Sequence, residues 1–153
     1  MRLRVQDILD EKNIPYRIIE LKQRAITVNE VIEYSVGDIN PDEICKTILV
    51  KQKKQFYALF LRGANKIDFK KLKSVIGKAS IVSREDVIEI TGVKPGAVCP
   101  LLLDVPLIVD VRVLELEKLN FGSGNHLFGV EISSSDLNLV VDFRMADIAR
   151  KMQ

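Results

Sequence analysis

Hydrophobic residues recur first at helical and then at strand spacing in the N-terminal part of the chain. Val5, Ile8 and Leu9 share one helical face. Pro15 ends any such helix, and the stretch 16–21 then reads as a strand. The sequence therefore predicts a short N-terminal helix followed by a strand.

A second helix is predicted where Thr27 is followed three residues later by Glu30, because this is the spacing of a capping box. The helix should run through Tyr34 and turn Val28, Val31 and Ile32 inward. Asn40, Pro41 and Glu43 repeat the start signal just ahead of Ile44.

The middle of the chain predicts a hairpin and two capped helices. Strands at 47–50 and 56–61 flank a polar KQKKQ turn. Asp68 should begin a helix that ends at Gly77, and a strand at 79–82 should precede a helix capped by Ser83.

The C-terminal half is predicted to be richer in strands. We expect strands at 107–113, 127–132 and 139–143, and a short final helix from Met145. Strands separated by brief helices favour an α+β fold over a regular parallel winding. The predicted architecture is a single domain over residues 1–153. Its sheet would be mixed, mostly antiparallel and curved or closed like a barrel, with short helices around it.

Composition agrees with such a domain and excludes other classes. The chain has 153 residues, of which 47% are hydrophobic and 29% charged, which is outside the range typical of disorder. The longest apolar run, 98–103, is far shorter than a membrane helix of roughly 20 residues. The N-terminus also lacks the apolar stretch of a secretory signal. We therefore expect a cytoplasmic protein without a membrane partner.

The small net charge of +2 hides an uneven distribution. The basic segment, residues 46–78, carries ten Lys or Arg against one acid, a net +9 that leaves −7 for the rest of the chain. Clustered cations attract polyanions, so nucleic acid becomes a candidate partner. A lysine-rich solvated face explains the same pattern about as well. The candidate nucleic-acid-binding residues are Lys51, Lys53, Lys54, Arg62, Lys66, Lys70, Lys71 and Lys73.

Cysteine and histidine are scarce, which limits the chemistry. The chain has two cysteines and one histidine, with no CxxC or HExxH motif, so we expect neither a metal nor a cofactor. Cys45 and Cys99 are most simply core residues. A hydrolase that uses Cys99 with His126 as its base is a weaker hypothesis, for which Cys99→Ala should abolish activity.

Three stretches carry candidate chemistry. Lys46 begins an otherwise apolar strand, where an inward ammonium would meet a polar cavity or a negative ligand, whereas an edge lysine would reach water instead. The loop 91–100 is rich in glycine and proline, so its N–H groups could hold an anion or polarise a carbonyl, although a plain connecting turn between helix and strand has the same composition. The stretch 120–126 could supply polar groups to a pocket or be a tight turn; it lacks the ending of a P-loop.

Together these stretches resemble the YbaK/EbsC family, relatives of the editing domain of bacterial prolyl-tRNA synthetases. The resemblance runs from the first helix to the C-terminus, and the order of its short motifs makes it specific. The motifs are 46–50, 67–72, 91–92, the GxxxP element 96–100, 106–110, 122–124, 131–132, 135–137 and 146–150.

The resemblance implies a mixed β-barrel with helices and a metal-independent aminoacyl-tRNA deacylase. Lys46 would contact the tRNA end, with Gly96, Ala97 and Pro100 beside the scissile carbonyl. A substrate hydroxyl or thiol would act in place of a protein nucleophile. The implied substrate is mischarged tRNA, such as proline tRNA carrying cysteine, alanine or a similar small residue, and prolyl-tRNA synthetase is a candidate partner. The substrate-binding residues would be Thr47, Val98, Cys99, Gly122, Ser123, Gly124, Asn125 and His126.

The chain departs from the family pattern at two places. Cys99 stands where relatives often have serine, and Asn125 with His126 stands where they often have Lys-Arg. His126 is a candidate for binding the substrate amino group. The alternative is a non-catalytic module that binds aminoacyl-tRNA or an RNA end together with a synthetase. Binding without turnover on every mischarged tRNA would favour that module.

Overall fold

The computed structural model describes residues 2–152, which form a mixed α+β fold with five α-helices and ten strands. Short 3₁₀ turns connect several of them. The helices are α1 (Arg4–Glu11), α2 (Val28–Tyr34), α3 (Phe69–Ile76), α4 (Arg84–Thr91) and α5 (Leu137–Val140). The strands are β1 (Arg17–Glu20), β2 (Cys45–Gln52), β3 (Gln55–Arg62), β4 (Asn65–Ile67), β5 (Ser80–Ile81), β6 (Leu107–Asp110), β7 (Lys118–Asn125), β8 (Phe128–Ser133), β9 (Arg144–Ala146) and β10 (Ala149–Lys151).

The strands are arranged in three hydrogen-bonded sheets. The largest has the order β5-β2-β3-β6-β9, the second β1-β8-β7, and the third pairs β10 with β4. Most pairs are antiparallel, whereas β6 runs parallel to both β3 and β9. An isolated bridge between Ile44 and Asn120 connects the start of β2 with β7. Closure of these sheets into one barrel stays a prediction.

The predicted helix starts are confirmed. Thr27 and Glu30 form a reciprocal capping box on α2. The Asp68 carboxylate accepts hydrogen bonds from two N–H groups of α3, and Ser83 accepts one from α4. These side chains satisfy N–H groups that have no partner within their own helix, so each fixes where its helix begins.

Helix α2 differs from its prediction in one respect. None of its residues is buried, and Ile32, which was expected to face inward, is 39% exposed. Val31 and Tyr34 pack only against a small cluster of Ile19, Leu21 and Ala25. The helix therefore contributes little to the main core, and its apolar face borders open space.

The prediction was wrong at the C-terminus. Residues 137–140 are helical where a strand at 139–143 was expected, and the expected helix from Met145 is replaced by β9 and β10. The strand predicted at 107–113 ends at Asp110. These three-residue strands form because β6 and β4 offer free edges, which is long-range information that a local pattern does not contain.

A buried carboxylate explains why the chain returns to these edges. Asp110 is fully buried, accepts a hydrogen bond from the Ile148 N–H at 3.0 Å, and pairs with Arg112 at 3.1 Å. Arg112 also binds Asp147, which in turn binds Lys71 of α3. The motif residues Asp110 and Asp147 thus fasten the C-terminal strands to the large sheet.

The main core lies between the large sheet and the β1-β8-β7 sheet. Phe60 of β3 and Phe121 of β7 meet edge to face with ring centroids 5.7 Å apart. Buried aliphatic residues surround this contact. A second cluster of buried residues lies between the large sheet and α3. This packing fixes β2 and β7, the two strands that hold most of the candidate site.

Candidate functional site

A cavity of about 660 Å³ lies where β2, β7, α2 and the loop at Gly96 meet. Its size is in the range of small-molecule sites. Predicted site residues from all three sequence stretches line it, namely Lys46, Thr47, Gly96, Val98, Gly122, Asn125 and His126. Residues that are distant in the sequence therefore share one pocket.

The α2 segment, residues 22–36, forms one wall of this cavity. Thr27, Val28, Val31 and Ile32 line the space, which explains why the apolar face of α2 is not buried. Backbone bonds from Lys22 N to Tyr34 O and from Val36 N to Glu20 O, each 2.8 Å long, close the segment at its base.

Lys46 is half-buried in the cavity wall near the start of β2. Its Nζ donates a hydrogen bond to the Gly63 carbonyl at 3.3 Å. Burial lowers the pKa of this ammonium because the charged form loses water. Within residues 2–152 it forms no ion pair. A negative or strongly polar ligand in the cavity could therefore pair with the Lys46 ammonium.

The Gly96 loop, residues 94–100, contains a 3₁₀ turn at Pro95–Ala97. A Cβ at position 96 would lie 2.5 Å from both the Cα and the carbonyl oxygen of Ile26. Only glycine allows this approach between the loop and the α2 segment. The Ala97 and Val98 N–H groups donate to carbonyls within the loop. No such bond engages the Gly96 N–H in the described part of the chain, so this amide has no backbone partner.

The stretch predicted as a loop or turn at 120–126 is mostly strand β7, with an irregular register between Gly122 and Asn125. A Cβ on Gly122 would lie 2.6 Å from the Val98 carbonyl oxygen, so this glycine lets β7 touch the Gly96 loop. The Ser123 hydroxyl donates to the Phe128 carbonyl at 2.6 Å and accepts from the Asn125 N–H. Ser123 thus shapes the bulge from its buried side.

His126 lines the cavity at the turn after β7. Burial, together with the positive charges of Arg24 and Lys94, lowers the pKa of its imidazole, so the neutral form prevails at pH 7. Its Nδ1 is buried and has no hydrogen-bond partner among the described residues. Because Nδ1 is buried, the Nε2 atom is the ring nitrogen left to meet a ligand, and a neutral imidazole can accept or donate a hydrogen bond there.

Five predicted site residues do not line this cavity: Ala97, Cys99, Pro100, Ser123 and Gly124. A second cavity of about 450 Å³ borders Cys99, Ser123 and Gly124 and shares Val98 and Asn125 with the first. Ala97 and Pro100 are buried and line neither cavity.

The structure gives no support to a cysteine nucleophile. Burial raises the pKa of the Cys99 thiol to about 12, and Cys45 is affected in the same way. The buried Nδ1 of His126 has no hydrogen-bond partner among the described residues, and His126 and Cys99 line different cavities. Both cysteines are free and buried.

The basic segment contributes only Lys46 to the cavity among its charged residues. Lys53 and Lys54 form the exposed turn of the β2-β3 hairpin, and Lys70 and Lys73 lie exposed on α3. Lys51 stands over the ring of Phe56 at 5.3 Å. Arg62 and Lys66 are partly buried on β3 and β4, and Lys71 is paired with Asp147.

Sequence reasoning missed Asn120, which lines the cavity at 2% exposure. Its signal is a polar residue between Leu119 and Phe121, both of which are in the core. That signal was hidden because the stretch was read as a turn. The α2 residues were also missed, since they had been assigned to the core.

Neither a metal cluster nor a membrane helix was found in the part of the chain that the structure describes. No group of three or more His, Cys, Asp or Glu in residues 2–152 could hold a metal ion. No helix of that range is long and apolar enough to cross a membrane. Metal independence stays a prediction.

The structure is an α+β fold in which two glycine-bearing elements, a half-buried lysine and a neutral histidine surround one cavity. The model of the aminoacyl-tRNA editing domain family matches residues 25–139, and the chain belongs to this family. The matched range contains every site residue that the sequence predicted, whereas Ile19, Leu21 and Met152, which also line the cavity, lie outside it.

Relatives and solved structures agree with this assignment. The chain is 28% identical over 146 residues to the proline–tRNA ligase of Caldicellulosiruptor saccharolyticus and 29% identical over 135 residues to that of Staphylococcus aureus strain Newman. The matches cover 90% and 82% of this chain but only 26% and 24% of those enzymes, so the chain spans about a quarter of their length.

Two solved structures share the fold. A hypothetical protein superimposes with a TM-score of 0.83 at 24% identity, covering 95% of this chain and 99% of that one. A protein proposed to be a trans-editing enzyme for prolyl tRNA synthetase superimposes with a TM-score of 0.77 at 22% identity, covering 98% and 96%.

Proposed function

We propose that this protein is a trans-editing aminoacyl-tRNA deacylase that hydrolyses the ester of mischarged tRNA. The observation that carries the proposal is the convergence of Lys46, Gly96 and His126 on one cavity in a chain of the editing-domain family. Water is consumed, the bond between the carbonyl carbon and the ribose oxygen breaks, and a free amino acid and tRNA leave.

An aminoacyl ester is already activated, so positioning and electrostatic stabilisation suffice for its hydrolysis. Lys46 is proposed to anchor a phosphate or the terminal ribose, since within residues 2–152 its ammonium has only the Gly63 carbonyl as a partner. The Gly96 N–H is proposed to face the oxygen that becomes negative in the tetrahedral intermediate. Of the N–H groups in this loop, those of Ala97 and Val98 already donate to backbone carbonyls. The proposed oxyanion contact is therefore assigned to the Gly96 N–H alone.

His126 is proposed to accept a hydrogen bond from the substrate amino group. Its pKa is lowered, so it is neutral at pH 7 and does not repel an ammonium. A substrate hydroxyl or thiol is proposed to assist in place of a protein nucleophile, because the Cys99 thiol is buried and protonated and does not line this cavity. No metal or cofactor enters the proposal.

The proposed substrate is proline tRNA carrying cysteine, alanine or a similar small amino acid. Support comes from the likeness to proline–tRNA ligases and to a protein proposed to edit for prolyl tRNA synthetase. A prolyl-tRNA synthetase is the proposed partner, and the cytoplasm, where tRNA is charged, the proposed location. The exposed lysines of the basic segment are proposed to contact the tRNA backbone.

Mischarged tRNA provides the test. The protein is incubated with proline tRNA carrying cysteine, alanine, serine or proline, and loss of the labelled ester is followed against the uncatalysed rate. We expect accelerated loss from at least one mischarged species and none from the proline ester.

Two lysine variants sharpen this test. Lys46→Ala should lower kcat/KM by about 100-fold, the scale of removing one charged contact to the transition state. Lys12→Ala removes an exposed lysine remote from the cavity and should match the wild type. Full deacylation with unchanged tRNA affinity in Lys46→Ala would remove this lysine from the proposal. Binding of every tRNA without turnover would favour the non-catalytic module.

A further inference from the structure

Two cations, Arg24 and Lys94, lie beside the first cavity and are called the rim pair. Arg24 belongs to the α2 segment and Lys94 to the Gly96 loop, so both lie outside the basic segment, in the remainder of the chain with its net −7. Arg24 is exposed and Lys94 is partly exposed, so both can reach a ligand. Within residues 2–152 neither forms an ion pair.

The contact between the Gly96 loop and the α2 segment brings the rim pair together. A Cβ on Gly96 would lie 2.8 Å from the Ala25 carbonyl oxygen, so the two backbones touch. Arg24 directly precedes Ala25, and Lys94 lies two residues before Gly96, so each side chain starts within about 8 Å of backbone from this contact. Ala25 and Pro95, their immediate neighbours, line the cavity. A contact that requires glycine therefore holds both cations next to the cavity.

The ring of His126 shows that the two charged groups lie on the same side of this contact. Burial lowers the pKa of its imidazole most, and the positive charges of Arg24 and Lys94 lower it further. No carboxylate of residues 2–152 opposes them at the ring. Because charges act over short distances in salt solution, the guanidinium and the ammonium both lie near a ring that lines the cavity.

The chemistry of the rim pair favours a phosphate. Positive charge that no acid offsets attracts anions. A guanidinium can bind two phosphate oxygens at once, and an ammonium adds a compact charge. In the proposed substrate the carboxyl group of the amino acid is esterified, so the negative charges nearest the ester are the phosphates of the RNA.

We infer that Arg24 and Lys94 bind the phosphate that joins the terminal adenosine to the preceding nucleotide, and so hold the end of the RNA at the cavity. This inference rests on the proposed function and adds to it a phosphate site outside the basic segment. The phosphate nearest the ester is expected, because the rim pair starts beside residues that line the cavity. Lys46 of β2 then binds the terminal ribose, which selects one of the two partners proposed for it.

The test removes the charge of this single phosphate. Three esters carry the amino acid that the wild type removes fastest: an ester of adenosine, one of the dinucleotide cytidylyl-adenosine, and one of the same dinucleotide with a neutral methylphosphonate linkage. The kcat/KM value is measured for each. We expect the wild type to prefer the charged dinucleotide over the methylphosphonate by about 10-fold or more, the scale of a hydrogen bond to a charged group.

Neutral variants assign this preference to the rim pair. Arg24→Gln and Lys94→Gln should each lower kcat/KM on the charged dinucleotide by about 10-fold. On the methylphosphonate and on the adenosine ester each should stay within about 2-fold of the wild type, because the contact is already absent there. Retained hydrolysis of the adenosine ester also shows that the variant folds. Lys22→Gln is the matched control, since it removes an exposed cation of the same segment that does not line the cavity. It should keep the wild-type preference.

Three results would overturn the inference while the deacylase stands. In the first, the rim variants lose as much on the methylphosphonate as on the charged dinucleotide, because they contact some other group. In the second, Lys22→Gln loses as much as Arg24→Gln, which would show a general attraction of polyanions. In the third, Lys46→Ala removes the preference and the rim variants do not, which would put the phosphate at Lys46.

Binding measurements separate the two proposals if no ester is hydrolysed. Calorimetry gives the Kd of cytidylyl-adenosine and of its methylphosphonate analogue, and NMR follows His126 in both complexes. We expect the charged dinucleotide to bind about 10-fold more tightly, and Arg24→Gln to remove this difference. The pKa of His126 should rise only with the charged dinucleotide, because the anion offsets the two cations. These results without turnover would support the inference and reject the deacylase, whereas equal Kd values in the wild type would overturn the inference.

Discussion

Two glycines set the shape of the site because they have no Cβ atom and so allow close backbone contacts. Gly96 brings the loop against the backbone of Ile26, and Gly122 brings β7 against the Val98 carbonyl. Neither position has a left-handed backbone, so the requirement is space and not conformation. The GxxxP element and the Gly-Ser-Gly stretch therefore contact each other, at Val98 and Gly122.

A methyl group at either glycine should disturb this contact. Gly96→Ala and Gly122→Ala place a Cβ 2.5–2.6 Å from backbone atoms, which must move. We expect a loss of about 1–3 kcal/mol in the free energy of unfolding, measured in urea, and a large drop in deacylation. Gly129→Ala is the matched control, because its Cβ would meet its nearest atom at an ordinary 3.5 Å. A Gly96→Ala protein as stable and active as the wild type would contradict the described packing.

The single histidine makes the pH behaviour of the site measurable. The folded pKa of His126 lies below the value of about 6.5 expected in the unfolded chain. The unfolded chain therefore binds the proton first as the pH falls. The free energy of unfolding should decrease as the pH drops through 6.5, and this loss should be complete below the folded pKa.

NMR of the lone imidazole checks this directly. The titration midpoint should lie below 6.5 in the folded protein, and neutralising Arg24 or Lys94 should raise it. His126→Gln should remove the corresponding part of the pH dependence of stability. A midpoint at or above 6.5 would show that the ring is not held in its neutral form.

At the scale of elements, local signals were reliable and long-range pairing was not. Caps at Thr27, Asp68 and Ser83 identified three helices, because a cap is an interaction between residues close in sequence. Strand β7 was read as a loop because its glycines are usual in turns, whereas here they serve contact with the Gly96 loop. Strands β9 and β10 depend on distant edges that no local window contains.

Helix α2 should be the least stable part of the site. No residue of α2 is buried, so its capping box supplies a large share of what holds it. Thr27→Ala should cost about 1 kcal/mol locally, which corresponds to roughly 5-fold faster hydrogen exchange of the α2 amides, together with a higher KM.

An equivalent cap elsewhere controls for this prediction. Ser83→Ala removes the cap of α4, which does not line the first cavity, and should speed exchange in α4 while leaving KM unchanged. Equal exchange rates in α2 of the wild type and of Thr27→Ala would mean that packing, and not capping, holds the helix.

At the scale of the whole molecule, the basic segment separates into one lysine at the pocket and several far from it. Lys53, at the hairpin turn, is seven residues from Lys46 along β2 and β-strand geometry puts it about 23 Å away. If the terminal nucleotide lies in the cavity, such a distance favours contact of Lys53 with the acceptor stem of a tRNA.

Replacing the two turn lysines, Lys53→Ala with Lys54→Ala, should weaken tRNA binding and reduce its salt dependence. Each lost phosphate contact lowers the slope of log Kd against log salt by about 0.7–0.9. Hydrolysis of a short aminoacyl-adenosine should be unaffected. A slope equal to that of the wild type would show that these two lysines are exposed to solvent and do not contact the tRNA.

The sequence was sufficient to identify the stretches that form the site, but it was less informative about how they are arranged in space. Lys46, Gly96, Gly122 and His126 were singled out by residue type and order, and they share a cavity. Asn120 was missed, because a buried polar residue is recognisable only once its neighbours are known to be core. The sequence likewise could not tell that Cys99 borders the second cavity and not the first.

The closure of the α2 segment at its base has an evolutionary consequence. Residues 22–36 leave and re-enter the fold at adjacent points, joined by two backbone hydrogen bonds that do not depend on side-chain identity. Such a segment can be replaced by another sequence whose two ends form the same backbone hydrogen bonds. Substrate choice could thus diverge among related chains through one surface insert, while the sheets and the lysine stay the same.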